Sequence, residues 1–372
     1  MSTADRPGAP GAPGTEARIN LPMLVEPHAH IDKAFLAERV RNETNDLMGA
    51  IVALDAARES ITQADTHERA VRALRMYAAN GVSTVRTHAD VTLANGLESL
   101  EALLAAKKDC AGIIEVQVAM LLSWPVTGPG SAGLRALADR AVAVGADVVG
   151  GCPHLDDDPA GAVEYLHSLA AASRLPLDLH ADENLDLASR DLELLADLML
   201  GSGSTVSAVA SHCVSLSMRP EHEQRAVARK VAEAGISVVC LPQTNLYLQS
   251  NGIRTAPPRA LAPVRVLLEE GVNVCAGGDN LQDPFNPMGR ADPLEAANLL
   301  VTVAHLSPEE ALECVTASAA HAIGARGMVT ASGTSPVLSV RATTVREALA
   351  TGAPDRRVED PGTSASHKRN RK

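Results

Sequence analysis

Aromatic side chains are scarce in this chain of 372 residues, where phenylalanine, tyrosine and tryptophan together make up 2%. Platforms that stack nucleic-acid bases depend on aromatic rings, so such a platform is not expected. Clustered positive charge is also lacking, because the formal net charge is −12 and the one basic run is the terminal "HKRNRK". Binding to nucleic acid or to an anionic membrane surface is therefore excluded as a main function.

Paired cysteine motifs and long apolar runs are absent as well. The six cysteines are scattered and form no CxxC pair, which is typical of reduced, buried thiols. No apolar stretch reaches the length of a membrane span, and the first residues, "MSTADRPGAPGAPGTEA", contain no signal-peptide core. We expect a cytoplasmic protein that acts on a small molecule, and the sequence leaves open whether it forms a homo-oligomer.

From about residue 19, short apolar strands alternate with amphipathic helical stretches. The first predicted strand is "INLPMLVEPH", and we count eight strand–helix units in all. The predicted helices span residues 44–80, 97–108, 131–144, 159–173, 185–201, 219–234, 259–270 and 293–304. This alternation predicts an α/β fold, a (β/α)₈ TIM barrel over residues 19–326. Residues 1–18 are expected to be a disordered tail, and 327–372 a C-terminal remnant with a mobile basic end.

Two histidines stand one residue apart after the first apolar run, in "LVEPHAHIDKAFL". Because alternate residues of a strand face the same side, His28 and His30 point the same way, as two ligands of one metal ion do. Further potential ligands end later predicted strands: His88, His154, His180, His212 and Asp279. The carboxyl ends of barrel strands meet at one rim, so we expect these seven side chains to converge there.

Three imidazoles and one carboxylate form an open catalytic metal site, and we assign His28, His30, His180 and Asp279 as its ligands. A divalent ion there would acidify a bound water into a nucleophile near neutral pH. Glu183 could carry a proton from that water to a leaving nitrogen. His212 is placed to hydrogen-bond the nucleophile, and Asp279 is counted with these two as a catalytic group.

Seven segments, taken in chain order, resemble the amidohydrolase superfamily and in particular its cytosine deaminase branch: "EPHAHIDKAF", "GVSTVRTHADV", "GADVVGGCPH", "DLHADEN", "ASHCVSLS", "LPQTNLYLQ" and "AGGDNLQDPFNPMG". The resemblance covers roughly residues 19–350. It implies one zinc, iron or similar ion on the four ligands named above, a proton shuttle at Glu183 and assistance to the nucleophile from His212.

Several positions depart from the family pattern. The fourth predicted strand has no lysine at its end, which favours one ion over two. Ser123 stands where the family's pyrimidine-binding glutamine is expected, Asn280 replaces a second carboxylate, and Phe285 replaces a tryptophan. With His154, these residues are our candidates for substrate contact. The shorter Ser123 side chain predicts a different or larger ring than cytosine, because the reach is reduced by roughly two bond lengths.

Few residues precede the histidine pair, so the small β-sandwich usual in the family is expected to be missing or reduced. The sequence predicts a metal-dependent hydrolase that deaminates a cytosine-like or other aminated heterocycle. Two alternatives stay open: hydrolysis of a substituted amine or cyclic amide, and a degenerate, non-catalytic barrel that binds a small molecule.

Overall fold

The computed structural model describes residues 17–327 and 333–360. Of the tail predicted over 1–18, residues 1–16 lie outside these ranges, as does the basic end at 361–372, whereas Arg18 begins the first strand. Eight parallel strands pair in chain order. Backbone hydrogen bonds also join the chain at the end of the first of these strands to the chain just after the last, where Asp279 N donates to His28 O and His30 N donates to Asp279 O. The predicted (β/α)₈ barrel is confirmed.

The barrel strands are short and buried, as expected for parallel strands that are covered on both faces. They span Leu24–Ala29, Val82–Val91, Glu115–Leu122, Val148–Gly151, Leu177–Ala181, Ala208–His212, Ser237–Cys240 and Val274–Ala276 (β2 to β9). Alanine, valine and leucine fill most of the core, which follows from the shortage of aromatic residues.

Thirteen α-helices lie in the described part of the chain, on the outside and at the ends of the barrel. They span Leu47–Ala57, Gln63–Ala79, Glu98–Asp109, Ala132–Val144, Pro159–Ser173, Asp191–Ser202, Glu221–Glu233, Pro242–Leu248, Val264–Glu269, Pro293–Val303, Pro308–Cys314, Ala317–Ile323 and Val345–Thr351 (α1 to α13). Among the described residues, none of these helices is both long enough and apolar enough to cross a membrane.

Three helix predictions were wrong in their limits. The helix predicted over 185–201 begins only at Asp191, where the Asp182 carboxylate accepts hydrogen bonds from Asp191 N and Leu192 N and so satisfies the first backbone donors of the helix. The single helix predicted over 44–80 is two helices, because Thr62 caps a new N-terminus by accepting a hydrogen bond from Asp65 N. The helix predicted over 259–270 begins only at Val264, directly after Pro263. A residue that precedes a proline, here Ala262, disfavours the helical backbone conformation, so the helix cannot start earlier without strain.

The first predicted strand is also two strands, and they belong to different sheets. Arg18–Pro22 (β1) pairs antiparallel with Val337–Arg341 (β10), which pairs with Arg356–Glu359 (β11). Pro22 has no N–H to extend the ladder, and the chain enters the barrel two residues later. Among the residues that the structure describes, the small sandwich is therefore reduced to a three-stranded sheet.

Helix α12 closes the amino-terminal end of the barrel. Its Ala319, Ala322 and Ile323 pack against Val25 and Val209 on the inner face of the strands. The carbonyl oxygen of Ile323 accepts hydrogen bonds from the side chains of Arg86 and Gln117 inside the barrel. The helix therefore covers this end of the barrel and is held there by polar contacts. The opposite end, where the strands have their carboxyl termini, carries the histidines.

Candidate metal centre and active site

Three histidines and one aspartate from three parts of the barrel meet at the carboxyl end of the strands. His28 belongs to β2 and His30 follows it, His180 belongs to β6, and Asp279 follows β9. All four side chains are almost completely buried, at 5% exposure or less. The alternation of strand residues brings His28 and His30 to one side, as the sequence predicts.

The ligand atoms of these residues converge on one point. His30 Nε2 lies 3.2 Å from His28 Nε2 and 3.0 Å from His180 Nε2. Asp279 Oδ1 lies 3.6 Å from His28 Nε2 and 3.3 Å from His30 Nε2. Tetrahedral bonds of about 2.0–2.1 Å place neighbouring ligand atoms about 3.3 Å apart, so the spacing fits one ion.

Electrostatics inside the cluster favour a cation as well. Burial, and then the neighbouring histidines, lower the pKa of His28 and His180 well below the usual value, so these rings present neutral lone pairs. Burial raises the pKa of Asp279 to about 8, with Asp283 adding to the rise. Within the described part of the chain, neither carboxylate oxygen of Asp279 has a hydrogen-bond partner. A divalent ion would accept the lone pairs of the histidines and would supply the positive charge that stabilises the buried Asp279 carboxylate.

His88 and His212 lie next to the four predicted ligands. Ligand atoms of His28, His88 and His180 fall within 4.8 Å of one another, and so do those of His28, His212 and Asp279. His88 is completely buried, and its ring is 4.1 Å from that of His28 between centroids. His88 therefore forms the floor beneath the cluster, whereas His212 faces the cavity above it.

A cavity with about 760 Å³ of empty space, open to solvent, lies above the cluster. Glu183 and His212 line it, together with three of the four predicted substrate contacts, Ser123, Asn280 and Phe285. His154 does not line it. Its Nδ1 lies 3.1 Å from the carbonyl oxygen of His180 and 3.4 Å from Asp191, so His154 supports the strand that carries His180.

Glu183 and His212 face each other at the edge of the cluster. Glu183 Oε1 lies 3.5 Å from His212 Nδ1, which is also 3.0 Å from Asn245 Nδ2. Burial, and then the charge of Asp279, raise the pKa of Glu183 well above its ordinary value of 4.5. A carboxyl with a raised pKa holds its proton more readily than a free one, which suits it to exchanging that proton with a bound substrate.

Helix α1 forms one wall of the cavity, which the sequence analysis did not predict. Its Leu47, Ile51 and Leu54 line the cavity, and Arg58 extends the row just after the helix ends. These positions lie on one face of a helix, and the spacing of Leu47, Ile51 and Leu54 in the sequence is typical of an amphipathic helix. From the sequence alone, the same row of apolar residues is equally typical of a helix that packs against the barrel.

Lys33 and Asp90 are charged residues of the cavity wall. Lys33 Nζ donates to Asp90 Oδ1 at 2.7 Å and to Asp32 Oδ1 at 3.2 Å, and lies 3.3 Å from His30 Nδ1. Burial alone would lower the pKa of Lys33, but Asp32 and Asp90 outweigh it and raise that pKa, so the ammonium stays charged. Asp90 was missed, although it follows His88 by two residues and shares its face of the strand.

A parallel eight-stranded barrel with a histidine and aspartate cluster at the carboxyl ends of its strands defines a class of barrel hydrolases. The sequence matches the amidohydrolase family over residues 36–329, which begins just after the histidine pair. The chain belongs to the amidohydrolase family. It is accordingly a hydrolytic enzyme that acts on C–N bonds, and the family depends on metal ions.

Relatives and solved structures agree with this assignment. The chain is 32% identical over 309 residues to a pterin deaminase of Rhizobium rhizogenes, covering 82% of this chain and 70% of that one. A 5-methylcytosine deaminase of Klebsiella pneumoniae with bound phosphonocytosine superposes with a TM-score of 0.83 at 31% identity, over 96% of this chain and 87% of that one. An N-isopropylammelide isopropylaminohydrolase of Burkholderia multivorans gives a TM-score of 0.78 at 28% identity, over 96% and 90%.

Proposed function

We propose that this enzyme removes ammonia from an aminated heterocycle at a centre holding one divalent metal ion, zinc or iron, on His28, His30, His180 and Asp279. The observation that carries the proposal is the close approach of these side chains beside a buried carboxyl, Glu183: His30 Nε2 lies 3.0–3.3 Å from a ligand atom of each of the other three, and Asp279 Oδ1 lies 3.6 Å from His28 Nε2. When bound, the ion would acidify a water molecule and polarise the ring carbon. The missing lysine at the end of the fourth barrel strand supports one ion.

Glu183 moves the protons of the reaction. The overall change adds water to the ring carbon, breaks its bond to the exocyclic nitrogen and releases ammonia, leaving a ring carbonyl. The nucleophilic water must lose a proton and the leaving nitrogen must gain one, and Glu183 is the cavity-lining carboxyl that can do both. Its raised pKa suits that exchange.

His212 and Asp279 hold the reacting oxygen in place. The Nε2 atom of His212 is buried and has no hydrogen-bond partner within residues 17–327 and 333–360, while Nδ1 lies next to Asn245. His212 is therefore free to hydrogen-bond the oxygen that attacks the ring. Asp279 Oδ1 lies 3.3 Å from His30 Nε2 and the residue lines the cavity, so its carboxylate can orient the same oxygen.

The cavity supports a fused, two-ring substrate of the pterin class over a single pyrimidine. Ser123 leaves the space that a longer amide side chain would fill, and Trp124 and Phe285 offer aromatic surface beside it. Leucine and isoleucine side chains of α1 form an apolar wall opposite polar groups such as Asn280. Such a site binds the faces of a flat heteroaromatic ring against apolar and aromatic side chains and fixes its polar edge through a few polar contacts.

A second candidate is release of an alkylamine instead of ammonia, and the apolar wall of α1 favours it. A ring carrying an N-alkyl group would place that group against Leu47, Ile51 and Leu54. The structural similarity to the Burkholderia isopropylaminohydrolase agrees with this alternative. The family assignment supports a catalytic protein over a degenerate barrel.

Product analysis tests the proposal. Purified protein reconstituted with zinc or iron is incubated with pterin, cytosine, isocytosine, aminotriazines and N-isopropyl triazines, and both ammonia and alkylamines are measured. We expect ammonia from an aminated ring, with pterin favoured over cytosine. If no substrate of the panel yields ammonia and the products are instead an alkylamine or a ring-opened acid, the proposal of deamination is overturned.

A further inference from the structure

A layer of charged side chains lies directly beneath the histidines inside the barrel. Two barrel strands repeat one pattern, in which a charged residue precedes a histidine by two positions: Arg86 before His88 and Asp178 before His180. Alternate strand residues face the same side, so each charged residue points inward one layer deeper than its histidine. Both are buried to 1% exposure or less.

Asp178 is the centre of this layer. Its Oδ2 accepts a hydrogen bond of 2.9 Å from Arg86 Nη1. Arg86 also donates from Nε to Gln117 Oε1 at 2.9 Å and from Nη2 to the carbonyl oxygen of Ile323 at 3.2 Å. The guanidinium is thus held by three partners from separate parts of the fold, and it fixes the Asp178 carboxylate in one place.

Ser211 connects Asp178 to the metal centre. It lies on β7 beside His180 in the parallel register. Its hydroxyl oxygen is 2.8 Å from His28 Nδ1 and 3.3 Å from Asp178 Oδ1. Ser211 is completely buried, so no solvent competes for these contacts.

The chemistry of the three groups sets the direction of both hydrogen bonds. An ionised carboxylate only accepts, so the Ser211 hydroxyl donates to Asp178. The serine oxygen then accepts from Nδ1–H of His28, which leaves the lone pair of His28 on Nε2. Nε2 is the atom that faces His30 and Asp279.

We infer that Ser211 and Asp178 are positioning residues that hold His28 in the ring orientation and tautomer needed to bind a divalent ion. This inference rests on the proposed metal centre. Partners of this kind are commonly worth about 10- to 100-fold in metal affinity. Without the hydroxyl, His28 can rotate or carry its proton on Nε2, where it blocks the ion.

The test measures zinc affinity directly, by competition between apoprotein and a chelator of known affinity. We expect Ser211→Ala to bind zinc about 10- to 100-fold more weakly than the wild type. Ser237→Ala is the matched control, since Ser237 is a buried strand serine whose hydroxyl accepts from Asn273 at 3.0 Å and takes no part in this relay. The control should bind zinc within about twofold of the wild type.

Equal affinity of Ser211→Ala and the wild type would overturn the inference, as would an equal loss in the control. Ser211→Thr keeps a hydroxyl and should recover most of the affinity, which a loss of folding stability alone does not predict. Should Ser211→Ala not fold, Asp178→Asn takes its place with the same expected loss, and unchanged affinity there would equally refute the relay. A wild type that binds no zinc or iron at all would instead refute the proposed metal centre.

Discussion

Replacing Glu183 with glutamine separates its role in catalysis from its role in the fold. The substitution keeps the size and shape of the side chain and removes the proton that the carboxyl can carry. Glu183 is 5% exposed, and its Oε1 lies 3.5 Å from His212 Nδ1. An amide can occupy the same space without losing a short hydrogen bond.

The expected loss of activity is large. General acid–base catalysis contributes about 10²- to 10⁴-fold to a rate, which corresponds to about 2.7–5.4 kcal/mol of transition-state free energy. Since Glu183 is proposed to act on both the attacking water and the leaving nitrogen, we expect Glu183→Gln to lie in the upper part of this range. The assay is kcat/KM for ammonia release with the best substrate of the panel.

Stability should not fall in parallel. A carboxyl whose pKa is raised in the folded state favours folding most below its unfolded value of 4.5, and that contribution is lost as the pH rises through the raised pKa. Glutamine has no such dependence, so the metal-free variant should be at least as stable as the wild type at pH 8 in urea unfolding. Activity within tenfold of the wild type would refute the proton-transfer role. Lower stability with equally lower activity would mean that Glu183 supports the fold.

The remaining predictions concern the pH profile, the substrate pocket and the metal ligands. Because the pKa of Glu183 is raised and the group must be ionised to accept a proton, kcat/KM should fall on the acidic side at a pH above 4.5, and a flat profile down to pH 4.5 would argue against this role. Ser123→Gln should fill part of the cavity and shift the ratio of kcat/KM for cytosine over pterin upward at least about tenfold, whereas an unchanged ratio would mean that Ser123 does not face the substrate. Asp279→Asn removes the anionic ligand and should leave purified protein with much less bound metal by elemental analysis. Full metal content in that variant would exclude Asp279 as a ligand.

The barrel and the meeting of its polar residues could be predicted because both follow from short-range rules. Strand alternation places His28 and His30 on one side, and parallel strands bring their carboxyl ends together at one rim. His180 and Asp279 are found next to them on that basis alone. Glycines at 81, 145, 235 and 271 follow helices in the sequence pattern, and all have the positive φ angles that glycine adopts readily at such turns.

The features that sequence rules missed depend on how loops and helices return to the barrel. His154 follows its strand as predicted, but it lies in a 3-10 turn where its Nδ1 approaches the carbonyl oxygen of His180, and it does not line the cavity. The helix α1 carries an ordinary apolar stripe, and only its path over the rim makes Leu47 and Ile51 part of the cavity wall. The small sheet joins residues more than 300 positions apart in the sequence, a pairing that local patterns do not specify.

The most direct test of the central claim is the location of bound metal in crystals of the zinc-loaded enzyme, by anomalous diffraction. We expect one peak per chain at bonding distance, about 2.0–2.2 Å, from His28 Nε2, His30 Nε2, His180 Nε2 and a carboxylate oxygen of Asp279. Two peaks in one chain, a peak bound by His88 in place of His30, or no peak at this cluster would contradict the account.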